Sequence, residues 1–81
     1  MFVNQDDRDY LIQLLRVLDG KTTIQIVKND TNHNLMFRGY VYQLWDTDWA
    51  MNYRYIIHEM EFLGVSEVCV VVSEYQRKHT N

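Results

Sequence analysis

The sequence predicts a small α+β domain in which an N-terminal helix lies across a four-stranded, largely antiparallel sheet, in the order α-β-β-α-β-β. Three observations predict it. Apolar residues recur at three- and four-residue spacing over Tyr10, Leu11, Leu14, Leu15 and Leu18, the stripe of an amphipathic helix. Ile24 and Ile26 alternate with Thr23 and Gln25 ahead of the turn-forming run Asn29-Asp30-Thr31-Asn32-His33-Asn34, as in a half-buried strand that enters a hairpin. Val68-Cys69-Val70-Val71-Val72 is apolar at every position, which suits a central strand covered on both sides or one lying at a dimer interface.

The first helix is expected over residues 6–19. Asp6 or Asp7 is placed to cap it, and Asp9 suits the positive end of the helix dipole. Gly20 stands where a left-handed residue would end it. Residues 22–29 and 35–41 form the hairpin strands, and Gly39 marks a bulge or a close approach of backbone in the second. The next stretch reads two ways. A short helix over about 42–50 followed by a strand over about 52–60 fits the strand formers Tyr53, Tyr55, Ile56 and Ile57. A single helix over 48–63 fits the spacing of Trp49, Tyr53, Ile56, Met60 and Leu63, with Gly64 to stop it. Residues 67–74 are a strand in both cases. Residues 1–75 make one domain, and 76–81 read as a disordered polar tail.

At 81 residues the chain has room for one core, and a domain of this size buries only about 60% of its unfolded surface. Its hydrophobic fraction of 47% argues against disorder. Six Tyr, three Phe and two Trp are more than one small core hides, so some should meet a partner or a twin subunit. A single cysteine, Cys69, cannot form an internal disulfide. No signal segment or apolar run of about 18 residues is present, so the expectation is a cytoplasmic protein with no membrane association. Cys69 is expected to be a small core hydrophobe among valines.

The sequence excludes more chemistry than it suggests. His33, His58 and His79 lack the spacing of a metal site, and no cofactor is expected. Ser66 and Ser73 have no glycine elbow, and no Gly-rich loop is present to hold phosphate. Asp46 with Asp48, or Glu59 with Glu61, has the composition of an acid/base pair but no evident water-excluding pocket. The expectation is therefore no enzyme. The net charge of −3 disfavours direct nucleic-acid binding, which usually shows a basic excess. Tyr40, Tyr42, Tyr53 and Tyr55 near Arg38 and Arg54 nevertheless keep a single-stranded nucleic-acid binder as an alternative.

What remains is a surface for gripping a protein. Trp45-Asp46-Thr47-Asp48-Trp49 sets both tryptophans and two carboxylates within five residues. On a helix, positions 45 and 49 share a face, either plugging the core or standing exposed. Exposed Trp and Tyr are common binding hot spots, and acids around them steer a basic partner. The expected partner-binding residues are Trp45, Asp46, Asp48, Trp49, Tyr53, Tyr55, Glu59 and Glu61. A structural or regulatory homodimer, through the Val-rich strand or an open sheet face, is the alternative.

Residues 37–44, Phe37-Arg38-Gly39-Tyr40-Val41-Tyr42-Gln43-Leu44, carry a Gly-x-Val-x-x-Leu step at Gly39, Val41 and Leu44. With Tyr53–Ile57 and the terminal Val-rich strand, this resembles small accessory proteins of phages and prophages of Gram-positive bacteria, over roughly residues 22–74. There a β-hairpin steps into a short helix and a second hairpin follows. Some small acidic phage proteins are anti-CRISPR inhibitors, which bind a Cas protein and block DNA access or cleavage; this chain resembles those in size, charge and lack of catalytic residues only. The resemblance implies a host-protein partner, such as a nucleic-acid-binding complex with a basic groove.

Overall fold

The computed structural model describes residues 9–74. Helix α1 spans Leu11–Val17, strand β1 Thr23–Lys28 and strand β2 Leu35–Tyr40; a single 3-10 turn, η1, covers Val41–Leu44; β3 spans Tyr55–Gly64 and β4 Glu67–Glu74. The sheet order is β2-β1-β4-β3. The expected α+β class, with one helix on a four-stranded sheet, is what is observed. Two of the three strand pairings are antiparallel, while β1 and β4 run parallel, so the sheet is mixed.

The parallel pair follows from how the chain crosses the sheet. After the β1–β2 hairpin, residues 41–54 pass over the sheet to its far edge, where β3 runs antiparallel to its later neighbour β4. The tight turn at Val65-Ser66 then returns β4 into the middle beside β1. The crossing segment fills the layer that covers the sheet: Val41, Leu44 and Ala50 are fully buried against it. Together with Leu11 and Leu15 of α1 they seal Ile24, Ile26, Val68, Val70 and Val72 from water. Each such side chain contributes on the order of 1.5–3 kcal/mol when fully buried. Val68, Val70 and Val72 face this layer, and Cys69 and Val71 face the opposite, open side at intermediate exposure. Cys69 therefore does not join the core as expected.

Register arranges the open side in rows. Arg38, Gln25, Cys69 and Glu61 are successive partners across all four strands, as are Leu35, Val27, Val71 and Glu59, and Tyr40, Thr23, Glu67 and Gly64. On the core side the rows run Gly39, Ile24, Val68, Phe62 and Phe37, Ile26, Val70, Met60.

The helix starts later than the apolar spacing implies. Asp9 and Tyr10 are captured by the edge of β3: the Ile57 amide donates to the Asp9 carbonyl at 2.7 Å, and Tyr10 bridges to Ile56. Tyr10 is thereby extended and becomes the N-cap, its amide donating to Gln13 Oε1 at 3.2 Å. Asp6 and Asp7 lie outside the described residues, as does the tail from Gln76. The same device opens η1, where the Tyr40 amide donates to Gln43 Oε1 at 2.8 Å. Both are capping-box geometry, a residue three positions into the turn reaching back to the N-cap N–H.

Two glycines matter through close approach. Gly20 has no left-handed φ, and the helix ends instead at an extended Leu18. A Cβ on Gly20 would lie 2.7 Å from Cη2 of Trp45, so the indole packs where a side chain would stand. A Cβ on Gly39 would collide with Gln43 Oε1 and lie 2.9 Å from Cζ of Phe37, which is the close approach anticipated there. Among the described residues the left-handed one is His33, φ 51°, in the hairpin loop, where Asp30 Oδ1 accepts from the His33 amide at 2.7 Å.

No helix forms over 42–50 beyond η1, nor over 48–63. Local polar side chains take the backbone groups that a helix would use. Thr47 Oγ1 donates to the Leu44 carbonyl at 2.7 Å, the Asn52 amide group donates to the Asp48 carbonyl, and the Arg54 amide donates to Asn52 Oδ1 at 2.8 Å.

Ile26→Ala is expected to lower unfolding free energy by roughly 2–5 kcal/mol, read from denaturant midpoints. Gly39→Ala and Gln43→Ala should each cost on the order of 1 kcal/mol. Because both remove the Gln43–Tyr40 bond, the double variant should lose less than the sum; strict additivity would count against this pairing.

Candidate interaction surface

The residues expected to form one partner-binding site are distributed by the fold over separate surfaces. Trp45 is half exposed at the end of η1, its Nε1 donating to the Leu15 carbonyl at 3.4 Å and its ring lying over Gly20. Beside this position Tyr40 and Tyr42 stack at 5.5 Å, and both are half exposed. Trp49 lies elsewhere, half-buried against Phe37 at 6.5 Å and edge-on to Tyr55 at 5.7 Å, and it packs against the core. With no helix through 45–49, the two tryptophans do not share a face. Asp46 and Asp48 are exposed on the turns between them. Tyr53 is exposed and stands edge-on to Tyr10 at 5.1 Å.

Glu59 and Glu61 share a face, as i, i+2 positions on a strand should, and both are exposed. That face is the open one, because Glu59 pairs with Val71 and Glu61 with Cys69. The crossing segment that bears Trp45 and Trp49 covers the other side of the sheet. The acids of β3 and the tryptophans therefore do not form one patch.

The fold builds a different adhesive element along β3. Among the described residues its outer edge is paired at the start alone, by Asp9 and Tyr10. From Glu59 to Gly64 every residue is exposed. Met60 and Phe62 belong to core-side rows, yet they remain 45% and 60% exposed. Leu63 at 48% and the fully exposed Val65 extend the apolar strip. A groove of about 440 Å³ runs between α1 and this strand, with Tyr10, Gln13 and Leu14 on one side and Ile57, His58 and Met60 on the other. The alternative single-helix reading placed Met60 and Leu63 on a helical stripe, while the strand reading ended at about 60. The signal it passed over is the alternation Glu59, Met60, Glu61, Phe62, period two with opposite chemistry on the two faces.

Two further pairs of polar side chains are in contact. His58 Nε2 lies 2.6 Å from Ser73 Oγ, and Arg54 Nε lies 3.8 Å from Glu74 Oε2. Among the described residues no three His, Cys, Asp or Glu side chains gather to hold a metal ion; His79 lies outside them. No helix among them is long and apolar enough to cross a membrane. No protein-family model matches the chain, and no curated protein or solved structure matches it significantly.

Partial burial, followed by the neighbouring Glu61 carboxylate, raises the pKa of the Cys69 thiol. Both effects disfavour the thiolate. Alkylation of Cys69 in dilute folded protein should therefore be slower at mildly alkaline pH than in the unfolded chain, with its rate profile displaced to higher pH. A profile displaced to lower pH would contradict this environment.

Proposed function

We propose that the protein is a non-catalytic protein-binding module that receives a partner strand along the outer edge of β3. The observation that carries this is the run Glu59–Gly64, exposed throughout and, among the described residues, without a strand partner on its outer side beyond the Asp9-Tyr10 bridge. Strand addition draws affinity from backbone hydrogen bonds and specificity from alternating side chains. Here Met60 and Phe62 offer apolar contact on one face, and Glu59 and Glu61 offer carboxylates on the other. The matching partner strand alternates apolar residues with Lys or Arg. The pairing of Asp9 with Ile57 already has this geometry, and the groove beside Met60 has room for a partner's side chains.

Basic strands and grooves are typical of complexes that handle nucleic acid. The more specific proposal is thus an inhibitor, of the kind small phages encode, that occupies such a groove in a host complex in the cytoplasm. Its support is the acidic face of β3 and the net charge of −3. Asp46, Asp48 and Trp45 would serve as a separate contact, since they lie apart from β3.

A direct nucleic-acid reading has one observation in its favour. Arg38 and Tyr40 fall in adjacent rows on the open face, and Tyr40 stacks on Tyr42. Arg54, by contrast, is paired with Glu74 toward the other edge.

Affinity capture from a host lysate, with and without nuclease, tests these readings. Wild-type protein should retain a protein complex after nuclease treatment. Phe62→Ser should weaken capture about tenfold or more, as loss of a central apolar anchor does. Retention should also fall with rising salt, and less so for the Glu59→Gln, Glu61→Gln variant. Capture that ignores both changes would sink the β3 reading, and capture abolished by nuclease would favour nucleic acid.

A further inference from the structure

We propose that the open face of the sheet is a self-complementary surface that pairs two copies of this chain, with Arg38 of each copy set against Glu61 of its twin. Among the described residues nothing covers the face, and its middle strands mix apolar with polar side chains: Val27, Val71 and Cys69 stand beside Gln25, Thr23 and Glu67, and Leu35 is 56% exposed at the β2 edge. Charge is divided unevenly across the face, with Glu67 on the inner strand β4 and the rest at the edges. Arg38 stands on β2, whereas Glu59 and Glu61 stand on β3, at the far side of the same two rows.

This division selects one arrangement. Consider a two-fold axis that lies between the packed faces and runs along the strands, passing between β1 and β4. It exchanges left and right edges but keeps each residue at its own level. Arg38 then stands over Glu61 of the twin, because both belong to one row. The same operation sets Val27 over Val71 and Tyr40 over Gly64, the largest side chain of its row against the residue with none. Leu35 comes to lie over the methylenes of Glu59. An axis perpendicular to the strands would instead stack β2 on β2 and bring Arg38 toward Arg38, which like-charge repulsion disfavours. Packed sheets lie about 10 Å apart, a gap that an Arg and a Glu side chain bridge together.

Four strands about 4.8 Å apart and some six residues long at about 3.3 Å each give a face of roughly 400 Å² per copy. Over both copies that is about 800 Å², below the roughly 1,000 Å² that a stable specific interface clears, so the dimer belongs to the weak, transient class. The proposal does not depend on a partner at β3, because face packing leaves the outer edges of both β3 strands free.

Sedimentation or light scattering over a concentration series, with circular dichroism to confirm folding, tests it. The mass should rise toward twice 9.8 kDa. Arg38→Glu and Glu61→Arg, both at exposed positions, should each weaken the dimer at least tenfold, and the double reversal should restore it. Phe62→Ser should dimerise like wild type. Alkylation of Cys69 should slow as concentration passes the dissociation constant, since the twin covers it. A monomer throughout the series, a dimer indifferent to Arg38→Glu, or no recovery in the double reversal would each overturn the proposal. An edge-to-edge dimer through β3 would reveal itself by loss with Phe62→Ser and an unchanged Cys69 rate.

Discussion

Ile24 and Ile26 of β1 lie directly beside Val68 and Val70 of β4, and these four side chains are completely withdrawn from water. No other contact in the molecule has so many dependents. The parallel pair fixes the middle of the sheet, so β2 and β3 must be edges. It provides the apolar floor on which α1 and the crossing segment lie. That floor is wider than its cover: Leu11, Leu15, Val41, Leu44 and Ala50 seal its centre, while Met60 and Phe62 at its β3 edge stay exposed beside the seven-residue helix. The adhesive edge is thus a direct result of a short helix on a long strand. Nothing among the described residues covers the opposite face.

Sequence patterning carried the sheet well, for a physical reason. A strand buried on one side must alternate, and one flanked on both sides must be apolar throughout. The limits of β4 agree with those expected, and β1 and β2 differ by a residue or two at their ends. Where expectation and structure diverge, a distant or competing contact decided the matter. Asp9 and Tyr10 have the acid and apolar pattern of a helix start, but the amide of Ile57 holds them in the extended state. Trp45 to Trp49 has helical spacing, but Thr47 and Asn52 bind neighbouring carbonyls and keep the segment in turns. The recurring Tyr-x-x-Gln at Tyr10–Gln13 and Tyr40–Gln43 was a legible sign of where turns begin.

The candidate site was legible only in part. Glu59 and Glu61 were placed on one face correctly, because period two needs no tertiary knowledge. Their separation from Trp45 and Trp49 could not be read, because it depends on which strand lies at which edge. Composition showed that aromatic residues exceed what a small core holds. It did not show that Trp49 and Tyr55 would form a seam over the core while Tyr40, Tyr42 and Trp45 would stand at the rim. Strand order converts a linear list of sticky residues into distinct surfaces.

That same order has a consequence for how the chain reaches its shape. The strand that joins the two halves of the sheet is the fourth in sequence, and it inserts between the first and the third. During synthesis, β1 and β2 emerge as a hairpin whose Ile24 and Ile26 have no parallel neighbour until β4 has left the ribosome. Isolated hairpins are marginal in water, and pairings between distant segments are slow because loop closure precedes any reward. The nascent chain therefore spends its growth with the eventual centre of the sheet open as an edge. It gains its cooperativity at a single late moment, when β4 closes the gap.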